Sequence, residues 1–353
     1  MARLLEIKNL TVSKSCLCKS YLYKEQKIKN DEIKKLNAVK NISFNIDEGE
    51  IVGLAGESGC GKTMTALAIT GLLPQSFKIT QGEIILKNQS LTSMNEKELC
   101  RVRGSKIGII FQDTKQALNP LMKIGNQIIE MLLLINNKQI IIKEKDLQIA
   151  AQQAALDLLF SLGFDEPQII FDAYPHQLSG GMCQRVMAAI AVICQPQLLL
   201  ADEPSSSLDE ESQKRILSLL LEMNQKYKTS LIIISHDLSI IKQFCNRYFI
   251  MYAGKIVEEG PSKTRFSPLH PYTHALINAI PSKEKRGSDL ENIPGKVPSI
   301  EDDFKGCPFA PRCPNVQNIC NDAFPKERFF TTDEECEVHR KVFCNYPVTG
   351  ENK

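Results

Sequence analysis

Residues 56–63 have the residue types and the spacing of a loop that binds the phosphates of a nucleotide. They match the pattern G-x-x-x-x-G-K-[ST], and the apolar run Ile51–Ala55 before them predicts a buried strand. Glycines let the backbone N–H groups turn inward, and a helix beginning near Lys62 directs its positive dipole end at the phosphates. We expect Lys62 to reach the β- and γ-phosphates and the Thr63 hydroxyl to bind Mg²⁺. The residues predicted to hold the nucleotide here are Gly56, Glu57, Ser58, Gly59, Cys60, Gly61, Lys62, Thr63 and Met64.

Two carboxylates, Asp202 and Glu203, end the short apolar run 198–201. Ligands of an open α/β sheet gather at the carboxyl ends of its strands, so this pair is expected to form the second half of the nucleotide site. Asp202 can hold Mg²⁺. Glu203 can orient or deprotonate the water that attacks in an in-line phosphoryl transfer.

Residues 178–185 open a helix with a serine cap and two glycines, Ser179, Gly180 and Gly181. Such a helix start is a second arrangement of backbone donors that suits phosphate. By itself this stretch is only suggestive.

The elements that must position these residues alternate between strand and helix. Apolar strands are predicted at 51–55, 198–201 and 230–234, and amphipathic helices at 212–226 and 238–245. This alternation is typical of an α/β fold with a mostly parallel sheet. Further expectations are β-type alternation at 4–12 and 38–46, a solvated loop or hairpin insertion at 14–35, a strand pair at 82–86 and 106–111, and mainly helix at 121–178.

Length, charge and hydropathy limit the class of protein. The chain has 353 residues, which is enough for two or three structural units. Its net charge of +2 gives no indication of binding to nucleic acid or to an anionic membrane surface. The N-terminus lacks a secretory signal, and the most apolar windows fall short of the roughly 20 residues of a spanning helix. We therefore expect a cytoplasmic protein whose membrane role uses partner subunits.

Together these motifs resemble those of the ATP-binding-cassette (ABC) family. The family's other elements follow in order: Gln112 after Phe111, residues 206–209 after Glu203, and His236. The resemblance covers roughly residues 1–350. It implies a P-loop NTPase core with an N-terminal antiparallel β subdomain and a helical subdomain at about 113–185, forming an ATPase domain at 1–262.

The resemblance also implies how such a protein would work. ATP binding cassettes act in pairs, so each ATP is expected between residues 56–63 of one subunit and Ser179–Gly181 of the other. Glu203, His236 and Lys62 are the implied catalytic residues of an ATP hydrolase, with His236 on the γ-phosphate. Thr63, Gln112 and Asp202 are the implied Mg²⁺ ligands, and Gln112 also links the site to a membrane partner.

The proline-rich tail narrows the choice of subfamily. Residues 266–273, 293–298 and 307–314 look like the C-terminal region of dipeptide, oligopeptide and nickel importer ATPases, which gives a loop-rich, cysteine-containing extension at 263–353. The implied function is ATP-driven uptake of dipeptides or oligopeptides, with nickel or a metal chelate as the alternative. The implied partners are two transmembrane permeases, a second related ATPase or another copy of this chain, and an extracytoplasmic solute-binding protein. The subunit would lie on the cytoplasmic face of the cell membrane.

Five of the twelve cysteines lie beyond residue 306. From residue types and spacing alone, zinc, an iron-sulfur cluster and unliganded thiols all stay open. The resemblance favours a [4Fe–4S] cluster and implies four ligands, Cys307, Cys313, Cys320 and Cys344.

A rival function is a soluble ABC ATPase that acts on ribosomes or DNA. The chain has one phosphate loop and no sustained heptads, which argues against it, and no nucleic-acid partner is expected. Tyr21 or Tyr23 is a candidate for stacking on adenine. The histidines at 270, 274 and 339 are expected to be ordinary loop residues and not nickel ligands.

Overall fold

The computed structural model describes residues 2–17, 33–136, 144–204, 209–262, 268–279, 292–333 and 336–348. Tyr21, Tyr23 and residues 206–208 lie outside these ranges. The strands are β1 (Arg3–Leu17), β2 (Ile33–Asp47), β3 (Ile51–Ala55), β4 (Phe77–Leu86), β5 (Gln89–Ser90), β6 (Ile107–Ile110), β7 (Leu198–Asp202), β8 (Ser230–Ser235), β9 (Arg247–Tyr252), β10 (Lys255–Pro261), β11 (Arg328–Asp333) and β12 (Cys336–Val342). The helices are α1 (Lys62–Thr70), α2 (Glu96–Val102), α3 (Thr114–Ala117), α4 (Ile124–Asn136), α5 (Glu144–Ser161), α6 (Pro167–Asp172), α7 (Gly180–Val192), α8 (Glu210–Tyr227), α9 (Leu238–Phe244), α10 (Pro271–Asn278) and α11 (Ile319–Asp322).

An eight-stranded sheet carries the predicted site. Its order is β11-β12-β10-β9-β3-β8-β7-β6. The five strands from β9 to β6 in this order are parallel to their neighbours, whereas β10, β12 and β11 continue the sheet in antiparallel pairs. Parallel strands that are covered on both faces have nearly continuous apolar sequences, as β3, β7 and β8 do. The predicted α/β class with a mostly parallel sheet is confirmed.

Alternate residues of each central strand supply two different hydrophobic cores. Along β8, Leu231 and Ile233 join the core that also contains the helices inserted between β6 and β7, whereas Ile232 and Ile234 join the core under the second sheet. A slip by one residue would exchange the two faces, so this alternation fixes the register of the strands.

A four-stranded antiparallel sheet, β2-β1-β4-β5, covers the second core together with α1. The predicted pairing of 82–86 with 106–111 is wrong. The first segment lies in β4 and pairs with β1, and the second forms β6 and pairs with β7. Most of β4 leaves one face exposed, as suits an outer sheet, whereas the apolar β6 needs cover on both faces.

The segment between β6 and β7 is helical, as predicted for 121–178. Helices α4, α5, α6 and α7 pack their apolar faces into the first core. Within the described ranges, no helix combines the length and the apolar composition that crossing a membrane requires. The division into domains at residue 262 stays a prediction.

The tail is built into the sheet and the core of the preceding residues. β12 pairs with β10, with Val342 opposite Glu258, and β11 pairs with β12. Phe309 is wholly buried and belongs to the first core. The tail therefore shares the large core that the preceding residues form.

Candidate functional site

The predicted phosphate-binding and catalytic residues follow the carboxyl ends of neighbouring parallel strands. Residues 56–63 follow β3, Gln112 follows β6, Asp202 ends β7 with Glu203 next, and His236 follows β8. Because these strands are parallel and adjacent, all of these residues lie at one edge of the sheet. We call this group the strand-end site.

The phosphate loop has a backbone that only glycine accepts at its first position. Gly56 has a φ of 149°, and a Cβ there would lie 2.2 Å from the carbonyl oxygen of Met251. Gly61, with a φ of 109°, is the N-cap of α1 and supplies no side chain to cap it. The first amide groups of α1 are thereby left to an anion, as the sequence predicts.

Lys62 is buried at the start of α1, with 7% of its surface exposed. Its ammonium group donates hydrogen bonds to the carbonyl oxygens of Gly56 at 2.7 Å and Glu57 at 3.0 Å. These bonds hold a cation inside the loop, where it can neutralise phosphate charge.

Asp202 offers a buried carboxylate to a cation. One of its oxygens, Oδ1, finds no hydrogen-bond partner among the residues that the structure describes, although the carboxyl group bonds the Thr63 hydroxyl. Burial raises the pKa of Asp202, the neighbouring Glu203 adds to this rise, and the Thr63 hydroxyl and the Lys62 ammonium oppose it. Thr63, Gln112 and Asp202, whose side chains all carry oxygen atoms, line one pocket. This donor set fits Mg²⁺, which prefers oxygen ligands and keeps several waters.

Glu203 is held in a strained conformation that aims its carboxylate at His236. Its φ of 50° lies in the left-handed region, and such strain is often found at functional sites. Glu203 Oε1 accepts a hydrogen bond from the backbone N–H of His236 at 3.1 Å and lies 2.7 Å from His236 Nδ1. The side chain of Gln184, on α7, donates to the Glu203 carbonyl oxygen at 3.2 Å. His236 thus orients the carboxylate of Glu203, and Gln184 holds its backbone.

The structure brings most of the predicted residues to one pocket and leaves some outside it. The pocket is lined by Ser58, Gly59, Gly61, Lys62, Thr63, Met64, Gln112, Asp202 and Glu203. An adjoining pocket is lined by Gly56, Glu57 and His236, and Cys60 is buried under the loop. Ser179 caps α7 by accepting a hydrogen bond from the N–H of Met182, as predicted, but Ser179, Gly180 and Gly181 do not line this chain's own pocket.

Sequence reasoning missed several contributors to the site, among them one from the tail and one from α7. The tail residues Pro298, Ser299 and Ile300 line the same pocket as Lys62. Gln184 falls within the predicted helix start at 178–185, but its side chain reaches the backbone of Glu203. No local pattern marks either contribution, because both depend on contacts between distant segments.

The four predicted cysteine ligands line one small pocket, the cysteine pocket (Cys307, Cys313, Cys320 and Cys344), and each is a free thiol. In the described part of the chain, however, no group of three or more His, Cys, Asp or Glu side chains is placed to hold a metal ion. Lining a pocket requires only that each residue reach its wall, whereas ligation requires the sulfur atoms to converge. Burial raises the pKa of Cys307 to about 11 and that of Cys344 to about 12, so both are protonated at neutral pH unless a metal displaces the proton.

Two of the three tail histidines lie within regular elements, His274 in α10 and His339 in β12, and the third, His270, directly precedes α10. His270 is buried and caps α10, where its Nδ1 accepts a hydrogen bond from the backbone N–H of Tyr272 at 3.1 Å. Burial lowers the pKa of His270 to about 3. His274 lies within α10. The prediction of ordinary loop residues is therefore wrong for His274 and His339.

Comparisons with known proteins agree with this arrangement. The ABC transporter family matches residues 39–206, and the oligopeptide/dipeptide transporter C-terminal region matches residues 257–320. The chain is 40% identical over 322 residues to the oligopeptide transport ATP-binding protein AppD of Bacillus subtilis, covering 91% of each chain. It is 41% identical over 292 residues to the dipeptide transport ATP-binding protein DppD of the same organism, covering 82% of this chain and 85% of that protein. A dimeric ATP-binding cassette solved in a post-hydrolysis state with ADP and phosphate has a TM-score of 0.61 and 27% identity, covering 74% of this chain and 99% of its own.

Proposed function

Because this chain belongs to the ATP-binding subunits of ABC transporters, we propose that it drives the uptake of dipeptides or oligopeptides across the cytoplasmic membrane. The chain is an ATP hydrolase of the ABC type. The observation that carries the proposal is that Lys62, Asp202 and Glu203 meet at one sheet edge in a chain whose tail matches the oligopeptide/dipeptide transporter region.

ATP would bind with its phosphates against the loop and the first turn of α1. The ammonium group of Lys62, already held inside the loop, would neutralise charge on the β- and γ-phosphates. Thr63, Gln112 and Asp202 would hold Mg²⁺, which when bound screens the phosphate oxygens. The orphaned Asp202 Oδ1 supports this assignment.

Hydrolysis would use the carboxylate of Glu203. A water molecule oriented by Glu203 would attack the γ-phosphorus and pass a proton to the Glu203 carboxylate. The bond between the γ-phosphorus and the oxygen that bridges it to the β-phosphate would break, and ADP would leave with that oxygen. His236, 2.7 Å from Glu203 Oε1, fixes the direction of that carboxylate and can reach the γ-phosphate. The strained backbone of Glu203 supports a role in the reaction.

A second ATPase subunit would complete the site. Ser179, Gly180 and Gly181 lie at the start of α7 and outside this chain's pocket, so their backbone donors are available to ATP bound by a partner. The partner would be a related ATPase or another copy of this chain. Two transmembrane permeases and an extracytoplasmic solute-binding protein would complete the transporter, with this subunit peripheral on its cytoplasmic face.

Reconstitution tests the transport function. The full chain is combined with its permeases and a paired ATPase in lipid vesicles, and ATP hydrolysis is measured with purified solute receptors. We expect stimulation by a receptor loaded with a dipeptide or oligopeptide. Stimulation only by a receptor loaded with nickel or a nickel chelate would contradict the peptide assignment. Purification with RNA or DNA and without permeases would contradict transport itself.

We further propose that the cysteine pocket holds a [4Fe–4S] cluster on Cys307, Cys313, Cys320 and Cys344. The support is the donor chemistry: four free thiols face one pocket, and thiolates are the usual ligands of such clusters. A bound cluster would supply structural cross-linking of the tail. Anaerobic purification followed by iron and sulfide analysis tests this proposal, with Cys344→Ser expected to lower both contents and the exposed Cys100→Ser to change neither. A colourless protein with stoichiometric zinc, or with no metal, would overturn it.

A further inference from the structure

The phosphate loop contains a carboxylate, Glu57, that requires neutralisation. It immediately precedes Ser58, which lines the nucleotide pocket. A negative charge within the loop repels the negatively charged phosphates of ATP, and the repulsion is stronger where water is excluded. The group that cancels this charge therefore influences how well the loop binds ATP.

That group comes from the tail, 255 residues further along the chain. Arg312 donates from Nη1 to Glu57 Oε2 at 2.7 Å and from Nη2 to Glu57 Oε1 at 3.0 Å, which is a bidentate ion pair. The arginine side chain is 4% exposed and that of Glu57 is 20% exposed. Bidentate pairs of this kind fix orientation as well as charge.

Buried groups around the Arg312–Glu57 pair hold it in place, and we call the aromatic cluster of Tyr252, Tyr272 and Phe309 the wall. Arg312 also donates to the Pro294 carbonyl oxygen at 2.8 Å and to the Tyr252 hydroxyl at 3.2 Å. The backbone N–H of Glu57 donates to the Tyr272 hydroxyl at 2.8 Å. Tyr252, Tyr272 and Phe309 pack edge-on or tilted against one another, and each is at most 1% exposed. Both the side chain and the backbone of Glu57 are thus anchored to this wall.

We propose that Arg312 is a positioning residue for ATP: it orients the phosphate loop through Glu57 and cancels the charge of that carboxylate, while Tyr272 fixes the loop's backbone. The tail is then a working part of the nucleotide site. This inference rests on the proposed ATP site and adds to it two residues that touch neither phosphate nor metal.

Conservative variants of the full chain test the proposal by titration with a fluorescent ATP analogue. Arg312→Lys keeps the charge but loses the bidentate geometry, and we expect the Kd to rise about tenfold. Arg247→Lys is the matched control. Arg247 pairs with Glu50 and Glu259 at the start of β9, on the opposite edge of the sheet. The Arg247→Lys variant should have a lower melting temperature, and its Kd for the ATP analogue should change by less than about twofold.

A double-mutant cycle separates positioning from general stability. In a Glu57→Gln background the carboxylate charge is gone, so Arg312→Lys should change the Kd by about threefold or less. In the reconstituted transporter, Arg312→Lys should raise the KM for ATP and leave kcat within about twofold. Additive effects of the two substitutions, or a Kd that stays within about twofold of wild type in Arg312→Lys, would overturn the proposal.

If the Arg312→Lys variant does not fold, the Tyr272→Phe variant provides a second test of the proposal. It removes one hydroxyl from a buried ring and keeps the packing, and we expect the Kd for ATP to rise about threefold. An unchanged Kd in this variant would overturn the role of Tyr272 and, with no folded Arg312 variant, the proposal as a whole. Failure of the wild-type chain to bind ATP would instead refute the proposed function.

Discussion

The strand-end site and the cysteine pocket gather distant residues by different means. At the strand-end site, the register of adjacent parallel strands puts Asp202 opposite Ile234, only two residues before His236. In the cysteine pocket, Cys307 and Cys313 flank a single 3-10 turn, and Cys344 follows the end of β12. Regular strands set both the position and the direction of a side chain, whereas loops set mainly its neighbourhood. This difference explains why catalytic geometry is formed in the first region, whereas in the second the four thiols share a pocket but are not placed, among the described residues, as a group that could hold a metal ion.

The largest effect is expected from the carboxylate of the strand-end site. Glu203→Gln keeps the shape and the hydrogen bond from the His236 backbone but cannot accept the water's proton, so ATP hydrolysis should fall about a thousandfold. ATP binding should be retained. Phosphate release and nucleotide titration measure the two properties. Glu222→Gln, at an exposed position on α8, serves as the control and should change neither. Normal turnover in Glu203→Gln would remove Glu203 from the reaction.

The strand-end site was largely predictable because each of its parts is a local pattern. An apolar run followed by glycines or by two carboxylates predicts both the strand and the residue at its end. The predicted strands before Gly56 and Asp202 are confirmed, as is the capping of α7 by Ser179. The relative order of the strands and the contributions of Gln184 and the tail had to come from the fold.

The attachment of the tail was not predictable, because it depends on long-range contacts of residues with no local signal. Glu258 lies in β10 beside a second glutamate, in a sequence that suggests exposure to solvent. It is nevertheless wholly buried. Its carboxylate accepts hydrogen bonds from the backbone N–H groups of Leu269 and His270 and from the hydroxyls of Tyr248 and Thr273. The sequence could not show that these four donors meet one carboxylate.

The second largest effect should come from removing that carboxylate. Glu258→Ala removes the shared acceptor of four buried donors and opens a cavity, and we expect a loss of about 3 kcal/mol in the free energy of unfolding. Denaturant titration of the full chain measures it. Glu259→Ala is the adjacent control, because Glu259 is half-buried and pairs with Arg247. A loss from Glu258→Ala no larger than from Glu259→Ala would mean that the tail is held by packing alone.

His270 makes the stability of this junction depend on pH. Its pKa is lowered by burial from 6.5 to about 3, so between these values the unfolded chain binds a proton that the folded chain does not. Stability from this group is therefore present above about pH 6.5 and is lost as the pH falls, by about 2 kcal/mol at pH 5. His270→Asn keeps an N-cap oxygen and should reduce the difference in unfolding free energy between pH 8 and pH 5 by that amount. The exposed His176→Asn is the control, and an equal change in both variants would contradict the assignment.

The smallest effect on stability is expected at Ser179, where it separates a helix cap from a catalytic contact. Ser179→Ala and Asn95→Ala each remove an N-cap oxygen, from α7 and α2, and each should cost about 1 kcal/mol in the free energy of unfolding. If Ser179 acts only as a helix cap, both variants should lose the same stability, and ATP hydrolysis by the assembled transporter should be unchanged in both. If Ser179 completes the strand-end site of a paired subunit, Ser179→Ala should lower hydrolysis while Asn95→Ala does not. Equal hydrolysis in the two variants would mean that the Ser179 hydroxyl supports only its own helix and makes no contact with ATP bound by a paired subunit.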